Sequence, residues 1–300
     1  MGNMEKVNSR KTIFDLERRI NLREEYEAIM EDMKRTTVKS KEIDTFTIDG
    51  FNTITIDGLL NSSIKTWRYR SAATDIRSFA KNHGFCYYDA SSDEDILYSF
   101  ELMINLLHWV PTHEVKRAST FDFSIGGTTD FSIGGTTISG ECTRCIENLE
   151  CILEQANWCV HESKKDPYPK YTLRKRSADV DATIEAVPEL AEALLAYLDL
   201  RNQKDEEAKK SILHAIADYL EPKRKDYKGT AYRSLCEDLF TVFNKCNIRH
   251  NNSSQVKLRK PERMKLYDQA FKASLHLLQM EEVSDFQASV SKVKEMLNHK

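Results

Sequence analysis

Residues 249–252, Arg-His-Asn-Asn, combine side chains that could cleave RNA without a metal ion. An imidazole titrates near neutral pH, so His250 could act as general base or acid while a 2′-oxygen attacks its own phosphate. A guanidinium can hold a phosphate and stabilise developing charge, which is the role predicted for Arg249. Asn251 or Asn252 could orient the phosphate or a 2′-hydroxyl. These residues form the candidate catalytic set.

A second interpretation of the same residues stays open. They lie where the apolar stripe of a predicted helix ends. Positive groups there suit the helix dipole, and asparagine tolerates the left-handed conformation of a helix C-cap. A cationic, Asn-rich helix cap would have a structural role and would not bind a substrate.

The following segment is basic and could contact RNA. Its cations with a predicted role in phosphate binding are Lys257, Arg259, Lys260 and Arg263. Tyr267 is a further candidate for substrate contact, as is Lys257.

A run of thiols offers a different chemistry, since thiolates and an imidazole could ligate zinc. It comprises Cys142, Cys145, Cys151 and Cys159, followed by His161. We predict one helix over 140–162, and a straight helix cannot fold all of these groups around one ion. We therefore expect core or surface thiols rather than a zinc site or redox pair, and no cofactor.

Two smaller patterns also have a structural and a functional interpretation. The acidic stretch 92–95 could bind a metal, but acids at a helix start are expected to cap it. Trp67, beside Arg68 and Arg70, could stack on a base. We expect Trp67 to pack inward instead.

Six predicted helices position the candidate site. From Ser139 onward apolar residues recur at helical spacing, which predicts helices over 140–162, 181–201, 204–220, 229–248, 261–280 and 284–298. The fourth has an apolar stripe of Tyr232, Leu235, Leu239, Val242, Phe243 and Cys246. Short connections predict an antiparallel bundle. The segment 163–180, with two prolines and six cations, predicts an exposed basic linker.

The first half mixes helices with short β-ribbons. Helices are predicted over about 10–36, from about Trp67 to Asn82, and from the acidic stretch 92–95 to Pro111. A near-repeat, TFTIDGFN and TITIDGLL (45–60), predicts strands joined by Asp-Gly turns. An exact tandem copy of DFSIGGTT (122–137) predicts a β-ribbon; it lacks the Lys-Ser/Thr of a phosphate-binding loop. We predict a mainly α protein, with an α+β part over 1–138 and a helical bundle over 139–300.

The composition argues against a membrane protein, a secreted protein and a strongly basic nucleic-acid-binding protein. Apolar residues make up 40% of the chain, charged residues 30%, and the net charge is −3, which is typical of a soluble globular protein without a global field for nucleic acid or membrane. We find no signal peptide and no run of apolar residues long enough for a membrane span. Seven cysteines without a secretion signal favour reduced thiols and a cytoplasmic location.

The C-terminal half, roughly 180–282, resembles helical domains of abortive-infection and HEPN-type bacterial defence proteins. The resembling stretches are ADVDATIEAVPELAEALLAYLDL, IADYLEPKRKDYKGTAYRSLCEDLFTVFNKCNIRHNN and ERMKLYDQAFKASLHLLQ. HEPN ribonucleases use an Arg, a polar residue, three or more residues and then a His, and typically cut RNA as dimers without metal. Arg249 matches the Arg and His250 the polar position. Ser-Ser-Gln-Val occupies 253–256, where the closing His would stand.

The resemblance leaves two functions from different classes. One is a metal-independent endoribonuclease acting as a homodimer in abortive infection or toxin-type defence. The other is a non-catalytic helical module that binds RNA or a protein partner, like an antitoxin or scaffold. Burial of Arg249 against a carboxylate of its own bundle would favour the second.

Overall fold

The computed structural model describes residues 20–40, 52–119, 138–163, 170–249, 256–280 and 290. Over these residues the protein is mainly helical with two short antiparallel strand pairs, which confirms the predicted class. The chain divides into two compact units between Asn157 and Trp158. The helix that begins at Ile138 therefore belongs to the first of these units.

The first unit packs around one long helix. Its elements are α1 (Leu22–Arg35), β1 (Thr37–Ser40), β2 (Asn52–Thr55), α2 (Ile56–Ser63), α3 (Ile76–Asn82), α4 (Asp93–Ser119) and α5 (Ile138–Gln155). Helix α4 packs against α1, α2 and α5, and its Phe100, Met103 and Leu107 are fully buried. Ser92 accepts a hydrogen bond from the Asp95 amide, so the acidic start of α4 is a helix cap as predicted.

The second Asp-Gly of the near-repeat is not a hairpin turn. Strand β2 pairs with β1, but Asp57 and Gly58 lie in the first turn of α2. The Thr55 hydroxyl accepts a hydrogen bond from the Gly58 amide at 3.1 Å. A threonine cap followed by an acid near the N-terminus starts a helix as readily as Asp-Gly starts a turn, and here the helix forms.

We expect Thr55→Ala to lower the free energy of unfolding of the first unit by about 1 kcal/mol, because the Gly58 amide loses its acceptor. Urea unfolding followed by circular dichroism measures the change. Thr55→Ser is the control, since it also loses the methyl group but keeps the hydroxyl. Equal losses in both variants would show that the cap does not stabilise α2.

Two other helix boundaries in the first unit differ from the prediction. Helix α3 begins at Ile76 rather than Trp67, because Asp75 caps it by accepting from the Ser78 amide at 2.7 Å. The preceding Ser71 has φ +54°, a left-handed conformation that interrupts any helix before it. Helix α4 does not end at Pro111 but continues to Ser119.

The second unit opens with a hairpin that the sequence analysis missed. Strands β3 (Trp158–Ser163) and β4 (Lys170–Lys175) pair antiparallel. The predicted helix over 140–162 therefore ends at Gln155, and the predicted linker over 163–180 contains a strand. Tyr171 and Leu173 alternate with polar residues, which is a strand pattern among many cations.

Five α-helices follow in the described part of the second unit. They are α6 (Ala178–Ala186), α7 (Ala191–Leu198), α8 (Glu206–Leu220), α9 (Arg233–Lys245) and α10 (Lys260–Leu278). The helix predicted over 181–201 is split, because Pro188 starts a 3-10 turn at Pro188–Leu190. Helices α8, α9 and α10 match the predictions closely. They contact one another around Leu213, Ile216, Phe240, Phe243 and Leu277, all fully buried.

The predicted stripe of α9 faces this core. Leu239, Phe243 and Cys246 are buried, and Tyr232, Leu235 and Val242 pack partly buried against them. The tandem DFSIGGTT copies and most of the helix predicted over 284–298 lie outside the described residues. Within the described part of the chain, no helix has the length and apolar character needed to cross a membrane.

Candidate functional site

Arg249 lies just beyond the end of α9, where the chain reverses. Asn247 has φ +63°, a left-handed conformation that asparagine adopts more easily than most residues. The Arg249 amide donates to the Phe243 carbonyl at 2.9 Å and so satisfies one of the last carbonyls of the helix. Asn247 thus lies in the helix cap, whereas the asparagines of the second interpretation, Asn251 and Asn252, lie outside the described residues.

The Arg249 side chain is held by two carboxylates of the same bundle. Its Nη1 donates to Oε2 of Glu221, the residue after α8, and its Nε lies 3.7 Å from Oδ1 of Asp218 in α8. Only 17% of the side chain is exposed. Asp218 also lies 3.0 Å from His214 Nδ1. The positive charge predicted to meet a phosphate is thus already balanced within the protein.

The remaining catalytic candidates, His250, Asn251 and Asn252, lie outside the described residues. Both flanks of that segment are tied to the end of α9. Before the segment, the Arg249 amide donates to the Phe243 carbonyl. After it, the Val256 amide donates to the Lys245 carbonyl at 2.9 Å. The structure therefore places the flanks of the predicted site beside the C-terminus of α9.

The four predicted phosphate-binding cations cluster around the start of α10 but differ in what they contact. Arg259 donates to Glu262 at 2.6 Å, and this pair is well exposed. Arg263 donates to Glu206 at 2.5 Å and to the Leu258 carbonyl at 3.0 Å. Lys257 and Lys260 are exposed and make no ion pair in the described part of the chain. These two lysines carry the charge that remains for an outside anion.

Lys260 also lines an open cleft of about 530 Å³ between the start of α10 and the start of α8. The other lining residues are Arg201, Lys204, Asp205, Glu206 and Glu207. The lining has three positive and three negative side chains, so the cleft alone has no strong preference for either sign of ligand.

Tyr267 does not contact a substrate. Its ring is fully buried, and its hydroxyl donates to the Cys246 carbonyl at 3.2 Å. Burial raises the pKa of Tyr267 to about 12. The residue joins α10 to the end of α9, which corrects the prediction of a role in binding.

Two of the four thiols are core residues, whereas Cys151 is exposed and Cys159 is half-buried. Cys142 and Cys145 are buried on one face of α5, and burial raises the pKa of Cys145 to about 11. A protonated thiol is a poor nucleophile and metal ligand. Cys159 and His161 lie on strand β3 instead of the helix, and no cluster of three or more metal-ligating side chains occurs among the described residues.

Trp67 packs inward as predicted. It is 6% exposed, and its ring centroid lies 5.3 Å from that of Phe79. Stacking on a base would require the tryptophan to leave this contact.

Sequence reasoning missed a polar cluster on one face of the β3–β4 hairpin. Cys159 pairs with Arg174 across the strands and His161 with Thr172, so these four side chains share a face. Burial lowers the pKa of His161, and the positive charge of Arg174 lowers it further. The period-two pattern could have revealed the face only if the segment had been recognised as a strand.

Comparison with known protein families, curated proteins and solved structures found no match to this chain.

Proposed function

We propose that the second unit is a non-catalytic RNA-binding module rather than a ribonuclease. The observation that carries this proposal is the ion pair of the Arg249 guanidinium with Glu221, beside which Asp218 lies 3.7 Å away without a hydrogen bond. A guanidinium can stabilise the transition state of phosphate cleavage only if it is available to the phosphate, and breaking a partly buried ion pair costs free energy. Here the side chain stabilises the turn after α9.

Lys257 and Lys260 supply the proposed contact with RNA. Both ammonium groups are exposed and without a carboxylate partner among the described residues, so they can approach the phosphate backbone without breaking an ion pair. Arg259 can join them, because its pair with Glu262 is exposed and therefore weak. Such contacts give affinity that depends on salt and little on base sequence.

The setting in bacterial defence rests on the resemblance alone. The homodimer that the resemblance implies is required for paired catalytic motifs and is not required for binding through these lysines.

The test uses a labelled single-stranded RNA of mixed sequence and the full-length protein. We expect Lys257→Gln/Lys260→Gln to weaken binding about tenfold and to reduce the slope of log affinity against log salt by roughly 1.4, since each lost single-strand contact removes about 0.7. Fluorescence anisotropy over a range of salt concentrations measures both quantities.

Lys225→Gln/Lys228→Gln is the matched control, because these lysines are also exposed and lie in the 3-10 segment Pro222–Gly229 of the same unit. Equal effects of the two double variants would mean that RNA meets only diffuse surface charge. Denaturing gels of the bound RNA address catalysis: cleavage that disappears in His250→Ala would overturn the proposal in favour of the endoribonuclease.

A further inference from the structure

Strand β4 carries an arginine whose hydrogen-bonding groups are not all used. The Nε and Nη1 atoms of Arg174 are buried and make no hydrogen bond. Each N–H group that is removed from water without a new partner loses a hydrogen bond, which costs free energy. Burial accordingly lowers the pKa of the Arg174 guanidinium.

The nearby carboxylate is committed to a different arginine. The backbone of Asp199 forms an isolated bridge with that of Arg174, which brings the two residues side by side. However, both oxygens of Asp199 accept from the side chain of Arg201, at 3.1 Å and 3.0 Å, and Oδ1 also accepts from the Arg201 amide. Among the described residues, Asp199 therefore accepts from Arg201 and makes no hydrogen bond with Nε or Nη1 of Arg174.

A third unused donor lies on the same face. Thr172 is 3% exposed, and its Oγ1 has no hydrogen-bond partner. It lies two residues before Arg174 and opposite His161, so all three side chains share one face of the hairpin. Arg174 and His161 are each partly exposed, so the rim of this face reaches solvent while the unpaired atoms lie beneath it.

We propose that this face of the hairpin binds a small oxyanion of the phosphate class. Arg174 supplies N–H donors and the positive charge, Thr172 supplies a hydroxyl donor, and a ring nitrogen of His161 completes the set. Oxygen atoms of a phosphate can accept from several donors at once, which would satisfy the groups that have no partner within the protein. Both oxygens of Asp199 already accept from Arg201, and no described residue accepts a hydrogen bond from Nε or Nη1 of Arg174, so we expect the anion to come from outside.

Titration of the full-length protein with inorganic phosphate at low ionic strength, followed by calorimetry, tests the site. We expect saturable binding that Arg174→Gln weakens about tenfold or more, because it removes a charge-assisted hydrogen bond. Thr172→Val, which keeps the shape but loses the hydroxyl, is expected to weaken binding about threefold to tenfold. Circular dichroism and thermal melts confirm that each variant is folded.

Lys175→Gln is the matched control, since it removes the same charge from the next, exposed position of β4. We expect this variant to bind phosphate within about twofold of the original protein. No saturable binding, or equal losses in Arg174→Gln and Lys175→Gln, would overturn the proposal.

Two further titrations identify the source of the anion. Inorganic phosphate and a short RNA with a 5′-phosphate compete if the site takes terminal phosphate, whereas an RNA without that phosphate competes only if the site takes phosphodiesters. Lys257→Gln/Lys260→Gln is expected to leave phosphate binding intact. The anion site and the RNA-binding surface therefore succeed or fail separately.

Discussion

Asp268→Ala is expected to destabilise the second unit by about 2 kcal/mol, because it leaves the buried Lys209 ammonium without its acceptor, a value reduced for the 48% exposure of Asp268. Lys209 of α8 has a side chain only 3% exposed, and its Nζ donates to Oδ1 of Asp268 in α10 at 2.6 Å. The Tyr197 hydroxyl donates to the same oxygen at 2.8 Å. One substitution thus removes the acceptor of two donors, and an unpaired charge away from water costs more than the pair contributes when intact. Urea or thermal unfolding of the full-length protein measures the loss.

Two companion variants separate charge from packing. Asp268→Asn keeps an oxygen acceptor and is expected to lose less than Asp268→Ala. Lys209→Met combined with Asp268→Asn removes the stranded charge, so we expect it to regain most of the stability. Glu207→Gln breaks the exposed pair with Lys210 and serves as the surface control, with an expected change below about 1 kcal/mol. A loss of similar size in Asp268→Ala and Glu207→Gln would contradict the argument.

Long amphipathic helices were predictable because their signal repeats over several turns. Helices α8, α9 and α10 each have an apolar stripe that packs on the core, and their boundaries fall within a few residues of the predicted ones. Short segments carry less information. Asp57-Gly58 suits a tight turn and also the first turn of a helix, and only the Thr55 cap and the packing of α2 decide between them.

Strand β4 of the β3–β4 hairpin was not predicted, because its segment is rich in cations. Lys170–Lys175 alternates in a strand-like way, but its cations and the neighbouring prolines suggested a linker. What stabilises the strand is remote in sequence: Leu173 is 1% exposed, and β4 packs against α7 and the 3-10 turn Leu200–Asn202. Tertiary contacts of this kind override local composition.

Some features of the candidate site likewise depend on neighbouring residues, and others depend on contacts between distant parts of the chain. The turn at Asn247 lies inside the helix predicted over 229–248, whereas the basic start of α10 follows from residue types along the chain. The partner of Arg249 does not, because Glu221 lies 28 positions earlier and only the packing of α8 against α9 brings the two together. Whether an arginine is available to a phosphate depends on such a contact. The motif Arg-His-Asn-Asn is the same whether or not the contact forms.

Arg249→Ala separates the two functional hypotheses by the kind of effect it has. If the side chain stabilises the turn after α9, its loss is expected to lower the free energy of unfolding by about 2 kcal/mol, a value reduced for the 41% exposure of Glu221. Glu221→Gln is expected to cost a similar amount. The double variant is expected to cost less than the sum of the two, with a coupling of about 1 kcal/mol, because the single substitutions break the same pair.

Asp218→Asn provides the internal control for this cycle, since its oxygen lies 3.7 Å from Arg249 and makes no hydrogen bond with it. We expect this variant to lose about 0.5 kcal/mol or less. If Arg249 is catalytic, Arg249→Ala should change the free energy of unfolding little. Induced expression of the unmodified protein in bacteria should then arrest growth and deplete RNA, and expression of Arg249→Ala should do neither. If Arg249 has a structural role, the Arg249 and Glu221 variants should show coupled losses of stability. Cellular RNA should then stay intact in all strains.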